Sequence, residues 1–166
     1  MLPLSADRLL STLKTHGVEF VVIGGFSLAA HGVVRGTKDL DIMPAPASEN
    51  LARLANALRD MAARPLLADD FDPVELGLEP DASGLLAGGN WVLATQYGRL
   101  DVMQLVEGVK SYEDLYGRAV MASAPGVEQP VAFAGLDDLV AMKTAAGRPQ
   151  DLIDIADLER ARLGGG

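Results

Sequence analysis

The chain has 166 residues, no cysteine and a formal net charge of −9. That length suits one domain with a core large enough to stand without cross-links, and the missing thiols exclude a disulfide framework or a thiolate metal site. The acidic balance disfavours a broad surface for gripping nucleic acid, because non-specific affinity there comes largely from neutralised phosphates. Met1-Leu2-Pro3-Leu4 opens no basic segment with a long apolar stretch behind it, so no secretory leader is expected. No run approaches the roughly twenty apolar residues of a membrane span. A reducing cytoplasm is the expected compartment.

In chain order, Leu9, Leu10 and Leu13 at helical spacing predict a helix from Ser5, its N-cap, to His16, with Gly17 as the stop. A strand over 19–23 follows, then a turn at Gly24-Gly25, a short helix over 25–31 and a second strand over 39–43. Leu51, Leu54, Ala55 and Leu58 predict a helix over 48–62, with Arg64-Pro65 beyond its end. The stretches 68–73 and 79–84 are polar and turn-rich, which suits a loop or short helices over a site entrance. Two strands, 91–97 and 100–106, meet at a tight turn around Gly98-Arg99. A short helix over 111–117, strands over 119–122 and 131–134, and helices over 136–146 and 149–163 complete the prediction. Gly147-Arg148-Pro149 breaks the last two, and Pro149 fits a first helical position, where its missing N–H costs nothing. The expectation is an α/β fold with a short mixed sheet: one domain over 1–163 and a flexible tail at 164–166.

Two segments carry candidate chemistry. Gly24-Gly25 closes the apolar run Phe20-Val21-Val22-Ile23, and fourteen residues after Gly25 comes Asp39-Leu40-Asp41, set between Arg35-Gly36-Thr37-Lys38 and Ile42-Met43. On a strand, residues i and i+2 share a face, so Asp39 and Asp41 point one way while Leu40 and Ile42 enter the core. Paired carboxylates repel unless a cation neutralises them, and a hard ion such as Mg2+ takes oxygen ligands of this kind. A diglycine lets backbone approach a phosphate and present N–H groups to it. Taken singly, the diglycine also reads as an ordinary turn and the acids as a solvated strand face. Other nucleotide-site signatures fail at particular residues. Gly24-Gly25-Phe26-Ser27-Leu28-Ala29 is not the G-x-G-x-x-G turn, and no Gly-Lys-Ser/Thr tripeptide occurs. His16 and His31 are the only histidines and neither has zinc-protease spacing; His31 reads as a histidine bonded to nearby backbone.

The ordered pair of motifs resembles the nucleotidyltransferase superfamily, in which Gly-Gly or Gly-Ser precedes Asp-x-Asp on the next strand. A third carboxylate on a later strand completes that family's metal triad, and Arg99-Leu100-Asp101-Val102-Met103 offers Asp101, with Asp81 and Asp114 next in line. Lys143-Thr-Ala-Ala-Gly-Arg148-Pro-Gln-Asp151-Leu-Ile-Asp154 resembles the Lys, Arg and Asp motif of small bacterial AbiEii-type nucleotidyltransferases, several of which are toxins.

The resemblance implies a DNA polymerase beta-like core that moves a nucleoside monophosphate from an NTP such as ATP to an acceptor hydroxyl, releasing pyrophosphate. It implies Mg2+ or Mn2+ on Asp39, Asp41 and Asp101, with Asp101 also helping to deprotonate the acceptor. Gly24, Gly25 and Ser27 would cradle the phosphates, and Lys143 and Arg148 would hold them. Thr37, Lys38, Asp151 and Asp154 complete the candidate set. Where many members carry Ser after the first glycine this chain has Gly25, so Ser27 either replaces that hydroxyl or merely caps its helix. Lys143 and Arg148 likewise read either as site cations or as surface cations at helix ends. The acceptor stays open among tRNA, protein and a small molecule. The competing expectation is a non-catalytic nucleotide- or partner-binding module, such as one half of a toxin–antitoxin pair with a cognate antitoxin.

Overall fold

Alternating side chains on the central strands divide the apolar residues into two buried clusters. Phe20, Val22, Leu40, Ile42, Leu100 and Val102 belong to one, and Val21, Ile23 and Met43 to the other. The computed structural model describes residues 2–67 and 77–164; the predicted loop at 68–73 and Gly165-Gly166 lie outside the described residues. The helices are α1 (Ala6–Thr15), α2 (Gly25–Ala29), α3 (Ser48–Asp60), α4 (Ala82–Leu86), α5 (Tyr112–Gly117), α6 (Leu136–Ala146) and α7 (Pro149–Gly164). The strands are β1 (Phe20–Ile23), β2 (Asp39–Pro44), β3 (Arg64–Pro65), β4 (Asn90–Thr95), β5 (Gly98–Met103), β6 (Val120–Ala124) and β7 (Val127–Phe133). They form one mixed sheet in the order β3-β4-β5-β2-β1-β7-β6. No described helix is long and apolar enough to cross a membrane.

Leu9 and Leu13 of α1 and Leu54 and Leu58 of α3 pack into the first cluster, whereas Leu115 of α5, Leu139 of α6 and Leu158 of α7 pack into the second. The sheet is thus covered on both sides, and the α/β core with a mixed sheet expected from the sequence is present. Buried Asn50 on α3 ties two strand ends together. Its side-chain oxygen accepts from the Glu19 N–H at 2.7 Å, and its amide donates to the Glu19 and Ala45 carbonyls at 2.9 Å each.

Several boundaries differ from the sequence reading for local reasons. Helix α2 stops at Ala29, and Gly32, at φ +82°, donates its N–H to the Ala29 carbonyl and turns the chain away. The strands expected over 119–122 and 131–134 are longer and form one hairpin, joined at Pro125-Gly126 with Gly126 at φ +75°. Arg64-Pro65, read only as lying beyond the end of a helix, pairs with β4 as an outer strand. Ser5 occupies the N-cap of α1 without a side-chain capping bond.

Candidate active site

The diglycine creates room. Gly24 sits at φ +73°, and an ideal Cβ there would stand 2.1 Å from Asp41 Oδ2. A Cβ on Gly25 would meet Thr37 Cβ and Oγ1 at 3.1 Å. The bare backbone after β1 therefore lets one carboxylate and one hydroxyl close in on the turn. The Thr37 hydroxyl donates to the Asp39 carbonyl at 2.9 Å and stands beside Gly25.

Register assembles the acids. Strands β2 and β5 run parallel with Asp39 opposite Arg99 and Asp41 opposite Asp101, while Leu40 opposite Leu100 and Ile42 opposite Val102 are fully buried on the reverse face. One oxygen from each of Asp39, Asp41 and Asp101 lies within 4.8 Å of the others. Burial, reinforced by Asp39 and Asp101, pushes the Asp41 carboxyl up to about 7. Burial and Asp101 raise Asp39 as well. Three hard oxygen donors this close, one of them reluctant to ionise alone, are the donor set a small divalent ion takes.

Arg99 fills the fourth corner. Its Nε donates to Asp101 Oδ1 at 2.8 Å and its Nη2 to Asp101 Oδ2 at 2.9 Å, and Nε stands 3.4 Å from Asp39 Oδ2. Hydrogen bonding to Asp101 raises the guanidinium above its already high value.

A second charged group lies where α6 turns into α7. Gly147, in the left-handed region at φ +63°, ends α6 and turns the chain. Lys143 Nζ then lies 2.8 Å from Asp154 Oδ2 and 3.4 Å from Asp151 Oδ1. Arg148 bonds both oxygens of Asp151, and this pairing holds the Asp151 carboxyl below its ordinary range. Arg35, from the segment between α2 and β2, donates to Asp154 at 3.0 Å.

Both groups border one cavity of about 570 Å³. Of the sequence candidates, Gly24, Gly25, Thr37, Asp39, Asp41, Asp101, Lys143, Arg148 and Asp151 line it. Ser27, Lys38 and Asp154 do not. The Ser27 hydroxyl is fully buried and donates back to the Gly24 carbonyl, so it neither faces the cavity nor caps α2, whose N-cap is Gly24 with no side-chain capping bond; Lys38 is exposed; Asp154 lies behind Lys143. Asp81 caps α4 by accepting the Gly84 N–H, and Asp114 lies in the first turn of α5, so neither joins the acids. The His31 ring donates to the Ala134 carbonyl at 2.8 Å. Sequence reasoning did not single out Arg35, Arg99 or the apolar lining from Met103, Leu105, Val106, Leu139 and Met142. Arg99 left one usable signal, its place two residues before Asp101 on the same strand face.

Comparison with solved structures finds the same fold. The lincosamide antibiotic adenylyltransferase LnuA, lincomycin-bound, matches with a TM-score of 0.64 at 11% identity, over 95% of this chain and 98% of that one. ANT(2'')-Ia in complex with adenylyl-2''-tobramycin matches with a TM-score of 0.57 at 14% identity, over 96% and 86%. A putative nucleotidyltransferase from Thermotoga maritima matches with a TM-score of 0.52 at 17% identity, over 96% and 91%. Comparison with the curated proteins gives no match. A family model described as "Nucleotidyltransferase of unknown function (DUF6036)" matches residues 4–160, which span the diglycine, all three acids and the α6–α7 charges, and the chain belongs to that family of nucleotidyltransferases.

Proposed function

We propose that this nucleotidyltransferase moves a nucleoside monophosphate from an NTP such as ATP to a hydroxyl of a small-molecule acceptor, using Mg2+ or Mn2+ held by Asp39, Asp41 and Asp101. The observation that carries the reading is the β2–β5 register, which sets Asp41 beside Asp101 on the face that borders the cavity. A divalent ion bound there supplies positive charge where the attacking and leaving oxygens become negative.

The chain's own residues supply the remainder. The bare backbone of Gly24 and Gly25 meets phosphate at the cavity wall beside Asp41 and Thr37, and Lys143 and Arg148 hold the β- and γ-phosphates. As the acceptor oxygen bonds to the α-phosphorus, the bond to pyrophosphate breaks and pyrophosphate leaves with the electron pair. Asp101 takes the acceptor's proton.

Three observations favour a small acceptor over tRNA or protein. The cavity of about 570 Å³ combines charged walls with an apolar lining, which suits compact ligands. The net charge of −9 repels a polyanion. One fold neighbour is a lincosamide antibiotic adenylyltransferase by name, and another is in complex with adenylyl-2''-tobramycin. The narrower AbiEii-type likeness rests on Lys143 to Asp154 alone, and a toxin–antitoxin role draws no support from these neighbours. We place the enzyme in the cytoplasm, where NTPs and Mg2+ are plentiful. The test is incubation with each α-labelled NTP, Mg2+ or Mn2+, and separate RNA, protein and hydroxylated small-molecule fractions, aminoglycosides and lincosamides included. Label in the small-molecule fraction, lost in Asp41→Asn, is expected; label confined to RNA or protein overturns the acceptor assignment.

A further inference from the structure

We propose that Arg99 is a latch on the acidic site: its guanidinium holds Asp101 and Asp39 until nucleotide arrives, and it must leave Asp101 for divalent cations to bind there fully, so nucleotide and metal load together. This rests on the nucleotidyltransferase reading above and adds to it an internal competitor for the metal ligands.

The geometry distributes one cation unevenly over three acids. Arg99 bonds both oxygens of Asp101, at 2.8 and 2.9 Å, and its Nε approaches Asp39 Oδ2 at 3.4 Å. Among the described residues Asp41 makes no ion pair, so the Asp39–Asp41 side stays open while the Asp101 side is taken. A guanidinium and a divalent ion are drawn to the same oxygens and repel each other, so each bound form excludes part of the other.

Arg99 is also free to change partner. Its side chain is 37% exposed and borders the same cavity as Lys143 and Arg148. Phosphate oxygens entering that cavity offer a guanidinium the same two-pronged geometry as a carboxylate, so the trade conserves its hydrogen bonds. Once Arg99 has turned to phosphate, both Asp101 oxygens face the metal position. The coupling is reciprocal, so metal tightens nucleotide by the factor with which nucleotide tightens metal. A purely structural role for the Arg99–Asp101 pair predicts no such coupling.

The experiment is Mn2+ titration of the full chain, followed by the electron paramagnetic resonance signal of free Mn2+, with and without an α,β-methylene NTP analogue. For the wild type we expect the analogue to raise Mn2+ affinity at least about tenfold. In Arg99→Gln we expect nucleotide-free affinity to rise by about that factor, and the analogue to add less than about threefold. Arg59→Gln, at an exposed position of helix α3, removes the same charge elsewhere and should behave as wild type. Circular dichroism checks folding, and Arg99→Lys, which keeps the charge but not the fork, stands in if Arg99→Gln does not fold and is expected to give intermediate coupling. Mn2+ binding that is equal in wild type and the Arg99 variants overturns the latch alone. No Mn2+ on any of them, with or without analogue, overturns the metal-dependent reading and the latch with it.

Discussion

The Asp41 carboxylate occupies the space into which any side chain on Gly24 would project, with 2.1 Å left between Oδ2 and an ideal Cβ. Gly24→Ala is therefore expected to displace Asp41 as well as strain the backbone at φ +73°, lowering stability by about 1–3 kcal/mol. Mn2+ affinity should fall at least about tenfold, since a ligand displaced by an ångström no longer binds well. Gly36→Ala, at a glycine with nothing within 4 Å of its ideal Cβ, is the control and should change neither quantity. Thermal melts and metal titration of the two variants check this, and equal behaviour would remove the steric reason for the first glycine.

Asp41 predicts an inverted pH dependence of the metal-free enzyme. Its carboxyl is raised from 3.8 to about 7 by burial and by Asp39 and Asp101, so the folded state binds this proton more tightly than the unfolded chain does. The corresponding stability is full below about 3.8 and is lost as pH rises through about 7. In EDTA, the melting temperature of wild type relative to Asp41→Asn should drop between about pH 5 and about pH 8, by the equivalent of roughly 2–4 kcal/mol. Excess Mg2+ should flatten the drop, because bound cation favours the ionised form. A wild-type-minus-variant difference that is constant over the range would show Asp41 titrating as an ordinary carboxylate.

Lys143 is buried against two carboxylates, so it carries stability as well as any phosphate contact. Lys143→Met leaves Asp154, 0% exposed, with Arg35 as its remaining cation. A loss of roughly 3 kcal/mol in urea unfolding is expected, with part regained in the double variant Lys143→Met/Asp154→Leu. An unchanged urea midpoint in the single variant would mean that the ion pair contributes nothing net.

Asn50→Ala removes three hydrogen bonds that hold the start of β1 against the end of β2. The expected cost is about 2–4 kcal/mol, because the Glu19 and Ala45 groups are left with fewer partners. Asn50 does not border the cavity, so transfer per folded molecule should stay within about twofold of wild type. A comparable loss of turnover in fully folded protein would place Asn50 in the catalytic machinery.

The acidic strand was legible because its chemistry is local: a period of two puts Asp39 and Asp41 together whatever else the chain does. Arg99 was not legible as their partner, since meeting Asp39 requires a parallel register between strands almost sixty residues apart, and no spacing within either strand encodes it. Ser27 shows a similar limit. Its position in the first turn of α2 was plain, but the choice between phosphate and the Gly24 carbonyl depends on which way the hydroxyl is packed. The last two helices were bounded closely by Gly147 and Pro149. Their salt links were ambiguous, because the burial that makes Lys143 a partner of Asp151 and Asp154 comes from the docking of both helices. The β6–β7 hairpin was read only as two short strands, over 119–122 and 131–134, and Pro125, Gly126 and Pro130 lie between those bounds. In the fold two of them make the turn, and Pro130 precedes the point where β7 meets β1 at Phe133.

The pairing of β2 with β5 makes the site an all-or-none product of folding. A slip of one residue would drive Arg99 and Asp101 into the layer that now buries Leu100 and Val102, and would turn those two apolar chains towards Asp39 and Asp41. Such a chain would lack both Arg99 and Asp101 beside the Asp39–Asp41 pair, and it would bury charge in an oily layer, so it could persist neither as a weaker enzyme nor as one of altered selectivity. Errors in this protein are consequently filtered by the sheet itself: a molecule stable enough to accumulate is one whose acids are already aligned.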